Sequence, residues 1–342
     1  MRTALYFPHT EVRSKRVVHD ALLLWDNLEV ITPDPLYRPY YGDAEIAEAM
    51  EIIGDTRVPT NNEKQTVHAM VEDLIKSGVP ETFLYSPNSE RLEETYPIWP
   101  AKFLYETWQL LLENGLTDRQ LVNQDYPMSQ AAGLSLMAIL ADVLAGETRA
   151  RITDRGLAYA TIANAPKSAG AAGDIIQVVP LTLKGISADR IPFDRLLQFR
   201  KREAREGGAD YRRLRSNYRE AIEKHIERIS NVALGSPDRL ELDRAFQSDM
   251  EDDLYDLKRE LGFAKRDTLL SKDVIALAVA GVTLLAAAGA AHFQMPEVLT
   301  GSGAAVLLGG GLSTSNKLGK ARYETLRKHP MAYLYEVGLQ AH

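Results

Sequence analysis

The chain has 342 residues, 45% of them apolar and 25% charged, with a formal net charge of −7; this is enough for two domains of ordinary folded composition. Lys and Arg are interleaved with Asp and Glu, so there is no DNA-binding signature of the kind that concentrated basic charge provides. The absence of cysteine excludes disulfides, thiolate metal ligands and Cys nucleophiles, and the opening MRTALYFPHTEVRSK, broken by Pro8, His9 and Glu11, lacks a signal-peptide core, which makes the cytoplasm the expected compartment.

Residues 3–7 (TALYF) are strand formers ended by Pro8. Ser14 is placed to cap a helix with Val17, Val18, Ala21, Leu22 and Trp25 on one face, and residues 28–31 (LEVI) read as a second strand closed by Pro33. Strand, helix and strand in close succession predict a βαβ unit. Asp43 with Ile46, Ala49, Met50 and Ile53 predicts a helix stopped by Gly54. Asn61 or Asn62 starts the next, which puts Val67, Met70, Val71, Leu74 and Ile75 inward and ends at Gly78. Pro100 opens a helix carrying Phe103, Leu104, Trp108 and Leu111 as far as Gly115, and Thr117 with Gln120 has capping-box spacing for a short helix after it. Residues 128–145 read as a buried Ala- and Leu-rich helix, and residues 151–154 (RITD) as a strand end.

Residues 162–173 (IANAPKSAGAAG) are the candidate linker between an N-terminal α+β domain, 1–161, and a mostly helical C-terminal domain, 174–342. Residues 174–179 (DIIQVV) predict a strand. Helices are then expected over 189–206, up to the Gly207-Gly208 break, and over 211–232, with Leu214, Tyr218, Ile222, Ile226 and Ile229 inward. A third starts at Ser236-Pro237-Asp238 and carries Leu242, Phe246, Met250, Leu254, Leu257 and Leu261. The predicted fold class is α+β, a small N-terminal sheet packed with helices followed by a largely helical half.

Residues 274–293 (VIALAVAGVTLLAAAGAAHF) hold twenty positions without formal charge, and a second uncharged stretch follows from 298. Together they predict an apolar helical hairpin over 274–314, long enough to cross a bilayer and flanked by basic residues. Eight of the twenty residues are Ala and two are Gly, which are weak drivers of insertion. Gly281, Gly289, Gly301, Gly303 and Gly309 suit close helix packing and self-association. The expectation is a hairpin buried in protein, with inner-membrane association as the alternative.

The stretch ALYFPHTEVRSKRVVHDALLLWDNLEVITP (residues 4–33) resembles the start of a family of uncharacterised bacterial proteins. These open with a strand ending in Tyr-Pro-His or a near variant, then a helix ending in Leu-Leu-x-Trp-Asp, then a strand ending in Pro. Phe7-Pro8-His9 and Leu23-Leu24-Trp25-Asp26 hold those positions here. The Ala-rich helix leading to RITD, residues 196–207 (LLQFRKREAREG) and residues 329–336 (HPMAYLYE) are similar in later blocks. The resemblance implies a bacterial accessory protein with a defence or stress role, and it carries no activity or catalytic residue to this chain.

His9 directly follows the first predicted strand, where βαβ units gather ligand-binding groups. Asp26 is the polar residue that could pair with it, although parallel strands would put the two at opposite ends, and both also fit plain loop roles. Arg219 and His225, six positions apart in REAIEKH, are similar to the Arg-x(4–6)-His motif of HEPN-type ribonucleases, with Glu220 where that motif has Asn, Asp or His. On that alternative the protein is a HEPN-like toxin or defence effector acting on RNA; a charged, solvated helix face is the plainer reading. Residues 301–317 lack Walker order, and no pattern calls for a cofactor or a metal. The leading expectation is a non-enzymatic interaction protein with a protein partner or a second copy of itself.

Overall fold

The computed structural model describes residues 2–86, 95–121, 124–146, 148–155, 190–205, 207–230, 232, 236–260 and 320–339. They group into two units, Met1–Gln177 and Val178–His342, and the fold is α+β as the sequence predicts. The linker at 162–173, the strand at 174–179 and the hairpin at 274–314 with its five glycines lie outside the described residues. Among the described residues, no helix is long and apolar enough to cross a membrane.

In the first unit TALY forms β1 (Thr3–Tyr6). Ser14 caps α1 (Lys15–Leu24), its hydroxyl accepting from the Val17 amide at 3.4 Å, and NLEVI forms β2 (Asn27–Ile31). The two strands are parallel, with Tyr6 opposite Val30, so the βαβ unit is present. Asp43 caps α2 (Ala44–Ile53) by accepting from the Glu45 and Ile46 amides at 2.9 and 3.2 Å. Gly54 ends that helix and at once begins β3 (Gly54–Arg57), a polar strand parallel to β2. Helix α3 (Asn61–Lys76) starts at Asn61, the first of the two expected positions, with Thr60 as its cap and Thr60 and Glu63 closing a reciprocal capping box. Val67 and Val71 are its buried residues, whereas Met70 is 42% exposed. The packing line is turned toward His68, whose Nδ1 lies 3.0 Å from Thr107 Oγ1.

The chain continues through β4 (Thr95–Ile98), a 3-10 turn at Pro100–Lys102, α4 (Tyr105–Glu113), β5 (Tyr126–Ser129), α5 (Gln130–Ala145) and β6 (Arg149–Ile152). The helix expected from Pro100 thus begins at Tyr105, with Phe103 extended between the turn and the helix. Thr117 caps no helix; its hydroxyl donates to the Pro127 carbonyl at 2.6 Å. Residues 128 and 129 belong to β5, and Ser129 caps α5 by accepting from the Ala132 amide at 3.2 Å. β4 and β5 form a separate antiparallel pair in which Pro97 faces Pro127. Neither residue has an amide to donate, so the facing prolines leave a gap in the ladder, which stays short.

The main sheet is all parallel, ordered β3-β2-β1-β6. Leu5, Phe7 and Ile31 pack into one core with Val67, Val71, Trp108, Leu140 and Leu144 from α3, α4 and α5. Gly133 in α5 is pressed against the side chain of Tyr96, which comes within 2.5 Å of where a Cβ would stand. An alanine there would have to displace the ring.

The second unit contains α6 (Phe193–Ala204), α7 (Ala209–Ser230), α8 (Pro237–Glu260), α9 (Lys320–Leu326) and α10 (Ala332–Leu339) among the described residues. Ser236 caps α8 as its sequence predicts, its hydroxyl accepting from the Arg239 amide at 3.2 Å. Phe199 meets Tyr211 and Tyr333 edge-on, with ring centroids 5.2 and 4.9 Å apart, and Tyr218 lies 5.4 Å from Tyr333. On α7 the buried stripe is Leu214, Tyr218, Ile222, His225 and Ile229; Ile226, expected inward, is only half-buried.

Candidate functional site

The chain runs from β1 outward through β2 to β3, then returns past β1 to place β6 on its other side. The order reverses between β1 and β6, and open parallel sheets bind ligands at the carboxyl ends of the strands beside such a reversal. Tyr6 pairs with Ile152, and the Phe7 amide donates to the Ile152 carbonyl at 3.2 Å. His9 and Arg155 therefore stand three residues beyond the same rung of the ladder, with Asp154 between.

This arrangement separates His9 from Asp26. The Asp26 carboxylate accepts from the Arg2 amide at 2.7 Å, at the amino end of the sheet, as parallel strands require. The acid that acts on His9 is Asp154. Tyr96 on β4 completes the group: its hydroxyl donates to the Pro8 carbonyl at 3.0 Å, and its ring centroid lies 5.8 Å from that of His9.

The electrostatics follow from burial. Loss of solvent lowers the His9 pKa to about 4, Asp154 opposes the shift, and Arg155, Arg13 and Lys102 reinforce it, so the imidazole is neutral at neutral pH. Burial, with the Asp154 charge behind it, holds the Tyr6 phenol far above its ordinary range, and Tyr96 is raised in the same way. A side-chain hydrogen bond between Tyr6 and Asp154 adds to the rise at Tyr6. Neither Arg13 nor Arg155 has a side-chain partner among the described residues, and both are exposed.

Lys102, in the 3-10 turn, is buried, and desolvation lowers its pKa to about 7 against the attraction of Asp125. Between about pH 7 and 10.5 the unfolded chain holds a proton that the folded chain has released, so stability rises with pH across that window and the penalty is complete below it. Lys102→Met is expected to be more stable than the parent at neutral pH. It should also lose up to about 1.4 kcal/mol per pH unit of the parent's upward slope. Urea unfolding of both proteins from pH 7 to 10 checks this, and parallel slopes would contradict it.

The same end of the sheet carries residues 32–43 (TPDPLYRPYYGD), the long connection from β2 to α2. Its backbone is anchored twice. Asp34 Oδ1 accepts from the Leu36 and Tyr37 amides at 2.8 and 2.9 Å, and Glu11 Oε1 accepts from the Tyr37 hydroxyl and the Tyr40 amide at 3.1 and 3.3 Å. Tyr37 also meets Trp99 edge-on at 6.2 Å. On this fixed frame Leu36 is 84%, Tyr40 77% and Trp99 44% exposed.

Arg219 and His225 have separate surroundings in the second unit. His225 is buried, with Nε2 2.9 Å from Asp243 Oδ1 and its ring stacked on Phe246 at 4.0 Å and 6°. Arg219 lies 3.9 Å from Glu223 and donates to the Ser216 hydroxyl at 3.2 Å, both on its own helix. Among the described residues no group of three or more His, Asp or Glu side chains is arranged to hold a metal.

Sequence reasoning found His9 but not Asp154, Tyr96 or Lys102. RITD was legible as a strand end, yet nothing local says that its neighbour is β1. Tyr96 was hidden because Pro97 disguises its strand. No family model, no curated protein and no solved structure matches the chain.

Proposed function

We propose that the protein is a bacterial interaction protein whose first unit recognises a partner through the loop at residues 32–43. The observation that carries this reading is the pairing of exposure with order: Leu36 and Tyr40 face solvent on a backbone fixed by Asp34 and Glu11. Single exposed apolar residues are ordinary, but here two share an anchored loop and Trp99 meets it through Tyr37. A loop held in its binding conformation loses little entropy on docking, and exposed aromatics are the usual anchors of protein contacts. The resemblance of residues 4–33 to bacterial accessory proteins supports a defence or stress setting. Self-association or membrane contact through residues 274–314, with Gly281 and Gly289 at the closest approach, belongs to the same reading.

RNA cleavage by Arg219 and His225 has less support, because the His225 ring is already engaged by Asp243 and Phe246. Affinity purification from the native host, with soluble and membrane fractions kept apart, tests the proposal. A partner protein should be recovered with the parent chain and lost with the Leu36→Asp/Tyr40→Ser variant, both substitutions lying on the surface. Equal recovery by both chains would remove the loop from the interface. Hydrolysis of RNA by the purified protein, abolished by His225→Ala, would overturn the non-enzymatic reading.

A further inference from the structure

We propose that His329 and Glu260, in the second unit, are two ligands of a divalent transition-metal ion of the zinc class, with Asp253 orienting the imidazole. This site is independent of the loop at residues 32–43.

The imidazole is fixed before any ion arrives. His329 lies in the connection between α9 and α10, where its amide donates to the Leu326 carbonyl at 3.2 Å and its carbonyl accepts from the Ala332 amide at 3.1 Å. Asp253 on α8 holds the same turn through both carboxylate oxygens. Oδ2 accepts from the Met331 amide at 2.9 Å, and Oδ1 lies 2.8 Å from His329 Nδ1. An ionised carboxylate only accepts, so Nδ1 carries a proton, and in the neutral ring Nε2 presents its lone pair. A carboxylate behind the ring is what orients metal-binding histidines in general.

Nε2 is buried and makes no hydrogen bond. It faces Glu260 Oε1 at 3.5 Å, two helical turns beyond Asp253 on α8. With the ring neutral, two lone pairs meet across that gap, and the contact is repulsive until a cation comes between them. A proton would do so through a hydrogen bond, for which 3.5 Å is too long. A tetrahedral zinc ion holds nitrogen and oxygen ligands at about 2.1 Å each, which spaces the two atoms about 3.4 Å apart. The mixed pair also selects the class of ion, because calcium and magnesium take oxygen ligands whereas imidazole suits zinc and its neighbours. Among the described residues no third His, Asp or Glu joins the pair, so water completes the coordination. Lys328 Nζ lies 3.6 Å from Glu260 Oε2, the oxygen turned away from His329, and the ion shares the carboxylate with it. The Glu260 side chain is 37% exposed, which gives the ion its route in.

Isothermal titration of the full-length protein, first treated with a chelator, tests the site with zinc, cobalt, magnesium and calcium chlorides as probes. Zinc and cobalt should bind saturably at one ion per chain, with magnesium and calcium at least roughly tenfold weaker. X-ray absorption of the zinc-loaded protein should show one imidazole per ion. His329→Gln should abolish this binding, and Glu260→Gln should weaken it by roughly tenfold or more. Asp253→Asn keeps both ligands, so it should cost roughly tenfold in zinc affinity while the one-imidazole spectrum persists. Zinc should also raise the melting temperature of the parent and leave that of Glu260→Gln unchanged, a comparison that stands even where His329→Gln does not fold. Zinc binding no tighter than magnesium, insensitivity to Glu260→Gln, or two or more imidazoles per ion would each overturn the assignment and mark the ion as adventitious.

Discussion

Replacing Trp108 by alanine is expected to destabilise the first unit by roughly 3–5 kcal/mol. The indole is buried and stacks on Tyr126 of β5 at 4.2 Å and 14°. It also meets Phe103 edge-on at 5.5 Å, and Nε1–H donates to the Pro100 carbonyl at 2.9 Å. One side chain thus joins α4, the antiparallel pair and the 3-10 turn that carries Lys102. Truncation removes the apolar contacts, opens a cavity and leaves the Pro100 carbonyl without its donor. Urea unfolding followed by circular dichroism measures the effect. Trp108→Phe should recover much of the loss by restoring the stack without the hydrogen bond, and a cost below about 1 kcal/mol for the alanine variant would contradict this view of the core.

Glu203→Gln is expected to cost the second unit roughly 3–5 kcal/mol. Glu203 is buried between two buried arginines, with Oε2 3.3 Å from Arg200 Nε and Oε1 2.8 Å from Arg215 Nε. Its charge also acts on the buried Tyr333 hydroxyl. Neutralising the carboxylate removes the charge that both buried guanidiniums face, which costs more than losing a surface ion pair. Replacing Arg200, Glu203 and Arg215 together by Met, Met and Leu should be less damaging than Glu203→Gln alone, since all three buried charges are removed together. Thermal unfolding of the three proteins in low and high salt tests this. A triple variant less stable than the single one would show that the charges, and not their balance, hold the helices together.

What the sequence made legible was local. Ser14, Asp43 and Ser236 cap helices where their side chains can reach an amide two or three residues on, and that chemistry is readable from neighbours. β1 and β2 announced themselves through apolar runs ended by proline. β3 did not, because Gly54-Asp55-Thr56-Arg57 is an edge strand with no apolar face to display. β4 and β5 were missed because Pro97 and Pro127 argue against strands, an argument that fails when the two prolines face each other in a short pair. Thr117 was read as a cap from its spacing to Gln120, but its hydroxyl went to a carbonyl ten residues away. His225 was set on a solvated face and proved to be part of the buried stripe of α7. In each miss a long-range contact outweighed a short-range pattern.

The order of the parallel sheet also says when His9 and Asp154 can come together. Thr3 pairs with Asn27 on one side and with Arg149 on the other. Closing the second of these loops costs about 1.6 kcal/mol more chain entropy than closing the first, and rates fall as contacts become less local. The β1–α1–β2 unit can therefore form while later residues are still being synthesised, whereas β6 must wait for everything between. His9 is in place early and Asp154 arrives last. In hydrogen exchange the β6 amides should accordingly be the first of the sheet to open.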